Sequence, residues 1–343
     1  MSALHRREFI KRAAWATAAC AVFPPRLLRA AAPEKVNLAC CGIGNRGRDV
    51  IKALQATGLA NIVALCDTDV GAPHTREILQ LFPDVPRFTD FRQLFDRAAG
   101  SFDAVCISTP DFSHFPIAML AMSQAKHVYC EKPMGQSFRE IDLMMAAERK
   151  YKVAAQMGNQ GHSEANYFQF KAWTEAGVIR NVTKITAFMN SRRRWHGMTV
   201  NGPLPAETVP GSLNWDAWLS TLEPRDYNKG YVNGDWRSWY HLGNGALGDW
   251  GAHLFDTAHE FLQLGLPTEV EPTLEGWSPY LFPQASTCSS KSTASRPPTD
   301  RSSAWRNWQR RCCNWSPLGG SHFHEDHTFP GQQRSRRAGG TQR

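Results

Sequence analysis

The sequence predicts an α/β fold: an N-terminal doubly wound parallel sheet, then an incomplete α+β domain made of an open sheet and helices. Three observations predict it. Short apolar runs alternate with helical patterns from Lys35 to about residue 157, a glycine-rich turn follows the first run, and the tryptophan-rich middle that comes next holds few strand-like stretches. Alternation with brief connections marks parallel strands joined by crossover helices, and such sheets bind ligands at the carboxyl ends of their strands.

Residues 1–32 read as an address. "HRREFIKRAAWATAACAVF" has Arg6 and Arg7, then Phe9, a short apolar stretch, and small residues at Ala30 to Ala32. That is the layout of a secretory signal with a twin-arginine head, so export to the periplasm is expected. The route carries folded proteins, which suits one that takes up a cofactor first. The apolar core is too short to span a bilayer, so no stable membrane insertion is expected. An amphipathic start helix is the alternative, and Cys20 after Ala18-Ala19 loosely fits a lipoprotein cleavage site.

Residues 33–157 read as a dinucleotide-binding domain. "KVNLACCGIGNRGRDVIKAL" is a strand, then Gly42-Ile43-Gly44-Asn45-Arg46-Gly47, then a helix with Val50, Ile51 and Leu54 inward. Gly42 suits the tight turn, Gly44 the approach of a pyrophosphate and Gly47 close helix packing, which is the Rossmann fingerprint in its proper context. The phosphates would sit at the helix N-terminus, against Asn45 and Arg46. A second strand, "NIVALC", ends at Asp67, twenty residues past Gly47. An acid there accepts hydrogen bonds from ribose hydroxyls and repels a 2′-phosphate, favouring NAD over NADP. Capping of the next helix is the alternative for Asp67.

The alternation continues. "FDAVCISTP" is a strand, "FPIAMLAMSQA" a helix, "KHVYCEKP" a strand entering a turn, "FREIDLMMAAERK" a helix and "KVAAQMGN" a last short strand. Ser108, Pro110, Glu131 and Asn159 fall at carboxyl ends and are candidate cofactor contacts. His114, at a helix start, is a further one.

Composition excludes some classes. The net charge of +8 comes from 39 basic and 31 acidic residues, but residues 1–32 and 286–343 hold sixteen of the bases and four of the acids. The body is left with 23 bases against 27 acids, so no nucleic-acid partner is implied. Nine cysteines without a CxxC pair indicate buried thiols rather than a disulfide scaffold or a zinc site.

"YCEKPMG" after the fifth strand of such a sheet, "MGNQGHS", "LNWDAWLS", "WRSWY" and "GALGDWGAH" together resemble the Gfo/Idh/MocA oxidoreductases, in particular their exported twin-arginine members, over roughly Glu34 to Ser286. The resemblance implies NAD-dependent hydride transfer with a sugar or polyol, and a substrate domain over residues 158–285. A homo-oligomer is also implied, although an incomplete sheet would disfavour it. Lys132 would hydrogen-bond the substrate hydroxyl and stabilise charge on its oxygen; a surface ion pair with Glu131 or another carboxylate is the alternative. Asp249 and His253, one helical turn apart, would face the nicotinamide, with His253 taking the hydroxyl proton and Asp249 orienting it or binding substrate. A structural histidine is the alternative there. Asp256 is a supporting candidate. Asn159 and Gln160 would touch the nicotinamide side, and Trp215 and Arg237 would border substrate. Glycosidase chemistry through transient oxidation, or an inactive NAD-binding remnant, are the rival functions.

The second domain has "RNVTKITAFMN" and "TEVEPTLEGW" as recognisable strands. From about Ser286 the text becomes Ser- and Arg-rich without period, so residues 286–343 read as an aberrant disordered tail, either an out-of-frame reading of the missing domain or a real basic tail. His322, His324 and His327 in that text could hold a metal only loosely, and no metal site is assigned.

Overall fold

A computed structural model describes residues 35–189, 200, 202–265, 267–276 and 278–292. The address at 1–32, the histidines at 322–327 and the tail beyond residue 292 lie outside those residues.

Six parallel strands form the main sheet: β1 (Val36–Cys41), β2 (Ala60–Cys66), β3 (Arg87–Phe88), β4 (Ala104–Ile107), β5 (His127–Glu131) and β6 (Ala155–Gly158), in the order β3-β2-β1-β4-β5-β6. The order reverses between β1 and β4, which opens the crevice where a doubly wound sheet receives its ligand. Five of these strands are the predicted apolar runs. The sixth, β3, has only two residues, too few to carry a pattern.

Helices α1 (Arg46–Ala56), α2 (Arg76–Leu81), α3 (Phe91–Ala98), α4 (Asp111–Ser123) and α5 (Phe138–Tyr151) cover both faces. On one face Val50 and Ile51 of α1 and Ile78 of α2 pack on Leu38, Cys40 and Leu65. On the other, α3, α4 and α5 bring Phe95, Ala118, Met122, Ile141 and Met144 against Ala39, Val105 and Val128. The strand cysteines are free and buried, as small apolar side chains. Local signals set the helix ends. Asp90 accepts from the Arg92 N–H at 2.8 Å, and Ser137 with Glu140 closes a reciprocal cap at the start of α5.

Phe95 is 2% exposed and meets Phe102 edge to face, with ring centroids 5.5 Å apart. Phe95→Ala should cost about 3–5 kcal/mol by loss of apolar burial and the cavity left behind. Urea unfolding monitored by circular dichroism measures it, and a loss below about 1 kcal/mol would remove Phe95 from the core.

Beyond β6 come α6 (Ala165–Glu175), the short α7 (Trp215–Leu219), α8 (Gly245–Leu254), α9 (Asp256–Phe261) and an antiparallel pair, β7 (Pro267–Glu275) and β8 (Ala285–Ser292). Trp218, Tyr227, Tyr231, Trp236, Trp239 and Leu281 form a separate aromatic core that takes in Phe112 of α4, so this segment packs onto the Rossmann domain. No helix among the described residues is long and apolar enough to cross a membrane.

Two expectations are corrected. Residues 181–189, expected as a strand, have no strand pairing, and Val182, Ile185 and Phe188 are 42%, 41% and 69% exposed. Alternation there has no partner strand among the described residues to supply the ladder a strand requires. The boundary expected at Ser286 falls inside β8, whose backbone pairs with β7 from Ala285 to Ser292. A two-stranded ribbon with both faces open to water needs no apolar period, so the polar text concealed it. The stretch 245–261 is divided at Phe255 into α8 and α9. Its glycines also have packing reasons: Gly245 has φ +63° with Phe282 against it, and a Cβ at Gly248 would run into Asn244.

Candidate active site

The fingerprint turn is held by close backbone contact. Gly42 has φ +79°, and a Cβ there would lie 2.5 Å from the Ser108 carbonyl oxygen. A Cβ on Gly47 would run into the carbonyl oxygen of Gly42, so α1 seats directly on the turn. Asp67, just past β2, accepts from the Ile43 N–H and the Asp69 N–H, each at 3.0 Å, which fixes its carboxylate beside the turn. Ser108 and Pro110 are half-buried at the end of β4, Ser108 packed against the turn and Pro110 leading into α4.

Two consecutive residues at the end of β5 reach different partners. Glu131 is buried and receives the Arg46 guanidinium, with Nη2 at 3.0 Å and Nε at 3.1 Å, tying the turn to β5. Lys132 donates to both the main-chain oxygen and Oδ1 of Asp249 at 2.7 Å, tying β5 to α8. Their side chains are 11% and 5% exposed, so this is an interior ion pair and not the alternative surface bridge. Pro133 follows through a cis peptide bond.

More charge gathers around that pair. The Arg237 Nε lies 3.4 Å from Asp249 Oδ1 while its guanidinium covers the Trp236 ring at 4.1 Å. Asp111, 2% exposed, accepts from Asn244 Nδ2 at 3.0 Å. Burial pushes the Asp111 carboxyl above its ordinary value, while Arg237, His114 and Lys132 pull it back. An acid with a raised native pKa holds its proton more firmly folded than unfolded. Its protonated form therefore favours the fold below the ordinary carboxylate value, about 3.9, and that contribution is lost as pH rises through the native value. Asp111→Asn keeps an acceptor for Asn244 and should flatten this part of the pH profile. Urea midpoints from about pH 4 to pH 8 test it, and slopes equal in both proteins would contradict the assignment.

The remaining candidates are distributed unevenly. His114 is 1% exposed, with Nδ1 2.6 Å from the Pro133 oxygen and Nε2 2.8 Å from the Thr109 oxygen, so it braces the ends of β4 and β5. A neutral ring can donate to only one of those oxygens. Asn159 is buried and donates to the Ala252 oxygen at 3.2 Å and to Asp256 Oδ2 at 3.1 Å. Its own Oδ1 is buried with no hydrogen-bond partner among the described residues. Gln160 is exposed, and Trp215 stacks on Trp218 at 4.8 Å within the aromatic core. His253 is half-buried, one turn along α8 from Asp249, and meets Trp250 edge to face at 5.4 Å.

Sequence reasoning missed a neighbouring cluster. His162 Nε2 contacts Asp256 Oδ2, Tyr167 donates to Glu260 at 2.9 Å, and ligand atoms of His162, Asp256 and Glu260 lie within 4.8 Å of one another. Burial pushes the Asp256 carboxyl up and His162 opposes that. Asp256 and Glu260 stand one helical turn apart, which was the available signal, but nothing local announced His162 as their partner.

A family profile described as the NAD-binding Rossmann fold of the Gfo/Idh/MocA oxidoreductases matches residues 36–159. The same family's C-terminal alpha/beta domain matches residues 172–272. The chain belongs to the Gfo/Idh/MocA oxidoreductase family. Curated relatives include a glycosyl hydrolase family 109 protein of Saccharopolyspora erythraea, 26% identical over 63% of this chain and 42% of its own length. Another glycosyl hydrolase family 109 protein, from Streptomyces niveus, is 33% identical over 42% of this chain and 30% of its own length. A scyllo-inositol 2-dehydrogenase (NADP(+)) of Bacillus subtilis is 29% identical over 37% and 38%. The chain thus spans less than half the length of these curated relatives. Among solved structures, scyllo-inositol dehydrogenase from Lactobacillus casei with bound NAD(H) and scyllo-inositol matches with a TM-score of 0.39 at 22% identity, over 44% of each chain. As a Gfo/Idh/MocA member the chain carries the family's NAD-binding Rossmann domain, with Lys132 and Asp249 paired at its edge.

Proposed function

We propose that this chain is built as an NAD-dependent oxidoreductase that takes hydride from a secondary alcohol of a sugar or polyol. The observation that carries the reading is the adjacency of Glu131, bound to the fingerprint turn through Arg46, and Lys132, bound to Asp249. It sets a buried ammonium next to the end of a dinucleotide cleft.

The residues present fit the cofactor. The glycine turn leads into the N-terminus of α1, where a pyrophosphate would sit, and the Asp67 carboxylate, already oriented by two N–H groups, keeps lone pairs for ribose hydroxyls. The unpartnered Asn159 Oδ1 suits an amide donor such as the nicotinamide carboxamide. Bound NAD would supply the hydride acceptor. Lys132 would hydrogen-bond the substrate oxygen and stabilise charge on it, His253 would accept the hydroxyl proton, and Asp249 with Arg237 would hold Lys132 in place.

Thermal-shift and calorimetric titration of the full chain with NAD and NADP, followed by absorbance at 340 nm over a sugar and polyol panel, test this. NAD should raise the melting point more than NADP; no shift with either dinucleotide would end the reading. The glycosyl hydrolase family 109 relatives support a second reading, glycoside cleavage by transient oxidation with no net redox change. Release of free sugar without NADH accumulation selects it. Phe168 and Trp173 of α6 are 56% and 47% exposed, which supports the third, a remnant that binds NAD without turnover. We also infer export through the twin-arginine head, tested by fractionation after Arg6 and Arg7 are replaced by lysine.

A further inference from the structure

The second glycine of a dinucleotide turn leaves space for the pyrophosphate, and in this protein a side chain already borders that space. A Cβ added to Gly44 would run into Cδ2 of His74 and lie 3.0 Å from its Cγ and 3.2 Å from its Nε2. The Cδ2 corner of the imidazole, with Nε2 next to it, therefore lies against the backbone that the diphosphate would approach.

His74 is held there by its surroundings. It sits in a 3-10 turn, Pro73–Thr75, whose start is stiffened by Pro73. Thr75 is fully buried, and its hydroxyl donates to the Val70 and Ala72 oxygens at 3.0 and 2.9 Å. The preceding loop is pinned by the Asn214 N–H donating to the Thr68 oxygen at 2.8 Å. Just beyond, Glu77 takes Lys52 at 2.7 Å and Arg48 at 3.4 Å, holding α2 against α1. His74 itself is half-buried, and neither ring nitrogen has a hydrogen-bond partner among the described residues. A ring nitrogen thus stands beside the glycine turn with no protein partner among the described residues.

We infer that His74 is a cofactor ligand, its Nε2–H donating to a diphosphate oxygen of the adenosine-diphosphate half. This rests on the dinucleotide reading above and adds to it a contact that the fingerprint motif does not contain. It also gives Gly44 a second reason to be glycine, since the ring and the diphosphate share the space a side chain would fill.

The test is calorimetric titration of NAD and of ADP-ribose into the full-length protein, its His74→Ala variant and its His74→Gln variant, with melting points taken alongside. Loss of one hydrogen bond to a charged oxygen should weaken both ligands about tenfold in His74→Ala. His74→Gln, which retains a donor, should recover part of that. Equal weakening of NAD and ADP-ribose places the contact on their shared half. Affinity that is unchanged, or tighter because the ring had been obstructing the site, overturns the assignment while leaving the dinucleotide reading intact. Failure of the unaltered chain to bind either ligand overturns both.

Discussion

Replacing Lys132 by methionine is expected to lower turnover at least about 100-fold, the scale seen when a single group that stabilises developing oxyanion charge is removed. NAD affinity should stay within about threefold, because Lys132 reaches toward Asp249 on α8 and not toward the turn, which Glu131 serves through Arg46. The same change should also cost stability. Asp249 is 4% exposed and would keep Arg237, 3.4 Å away, as a cation near its carboxylate. Stranding a buried charge costs about 3 kcal/mol, at the lower end of the usual range because Arg237 remains. Adding Asp249→Asn removes the stranded charge, so Lys132→Met/Asp249→Asn should regain most of the stability and none of the turnover. That split separates chemistry from folding. Steady-state kinetics on whichever alcohol the panel identifies, together with urea unfolding, provides both readouts; a single variant retaining more than about a tenth of its turnover would remove Lys132 from the chemistry.

The parts of this molecule that were legible in sequence are those whose signal is local. β1, β2, β4 and β5 lie inside a sheet covered on both faces, so they appear as nearly continuous apolar runs. The Lys132 and Asp249 candidates came from short motifs at strand and helix positions. What escaped depends on partners distant in the chain. Asn244 meets Asp111 across 133 positions and Lys132 meets Asp249 across 117, and no periodicity encodes such pairs. The helix α6 buries none of its side chains and therefore shows no apolar stripe. Residues 181–189 and β8 failed in opposite ways, one with a strand pattern and no partner, the other with a partner and no pattern. Strand formation is decided by backbone pairing, and side-chain alternation reports it only where one face is buried.

Gly47→Ala should abolish NAD binding while leaving most of the Rossmann core folded. The added methyl would run into the carbonyl oxygen of Gly42 and stand 3.2 Å from Cβ of Ser108, and both obstacles belong to rigid parts of the site. Gly42 cannot give way, because its φ of +79° and its proximity to Ser108 leave its backbone no room. The strain is therefore relieved by lifting α1 off the turn, which takes Asn45 and Arg46 with it. Arg46 then loses its hold on Glu131, so the anion site at the start of α1 and the anchor beside Lys132 are disturbed together. Overpacking of this kind costs about 1–3 kcal/mol. NAD affinity should fall by more than about 100-fold, since the N–H groups that would hold the diphosphate depend on where α1 begins. Gly58→Ala is the control: Gly58 has φ +71° but nothing within 4 Å of an added Cβ, so its alanine variant carries backbone strain without a clash, away from the turn. Its melting point should fall while NAD binding survives. Comparable affinity loss in both variants would show that global destabilisation, and not the geometry of the turn, governs binding.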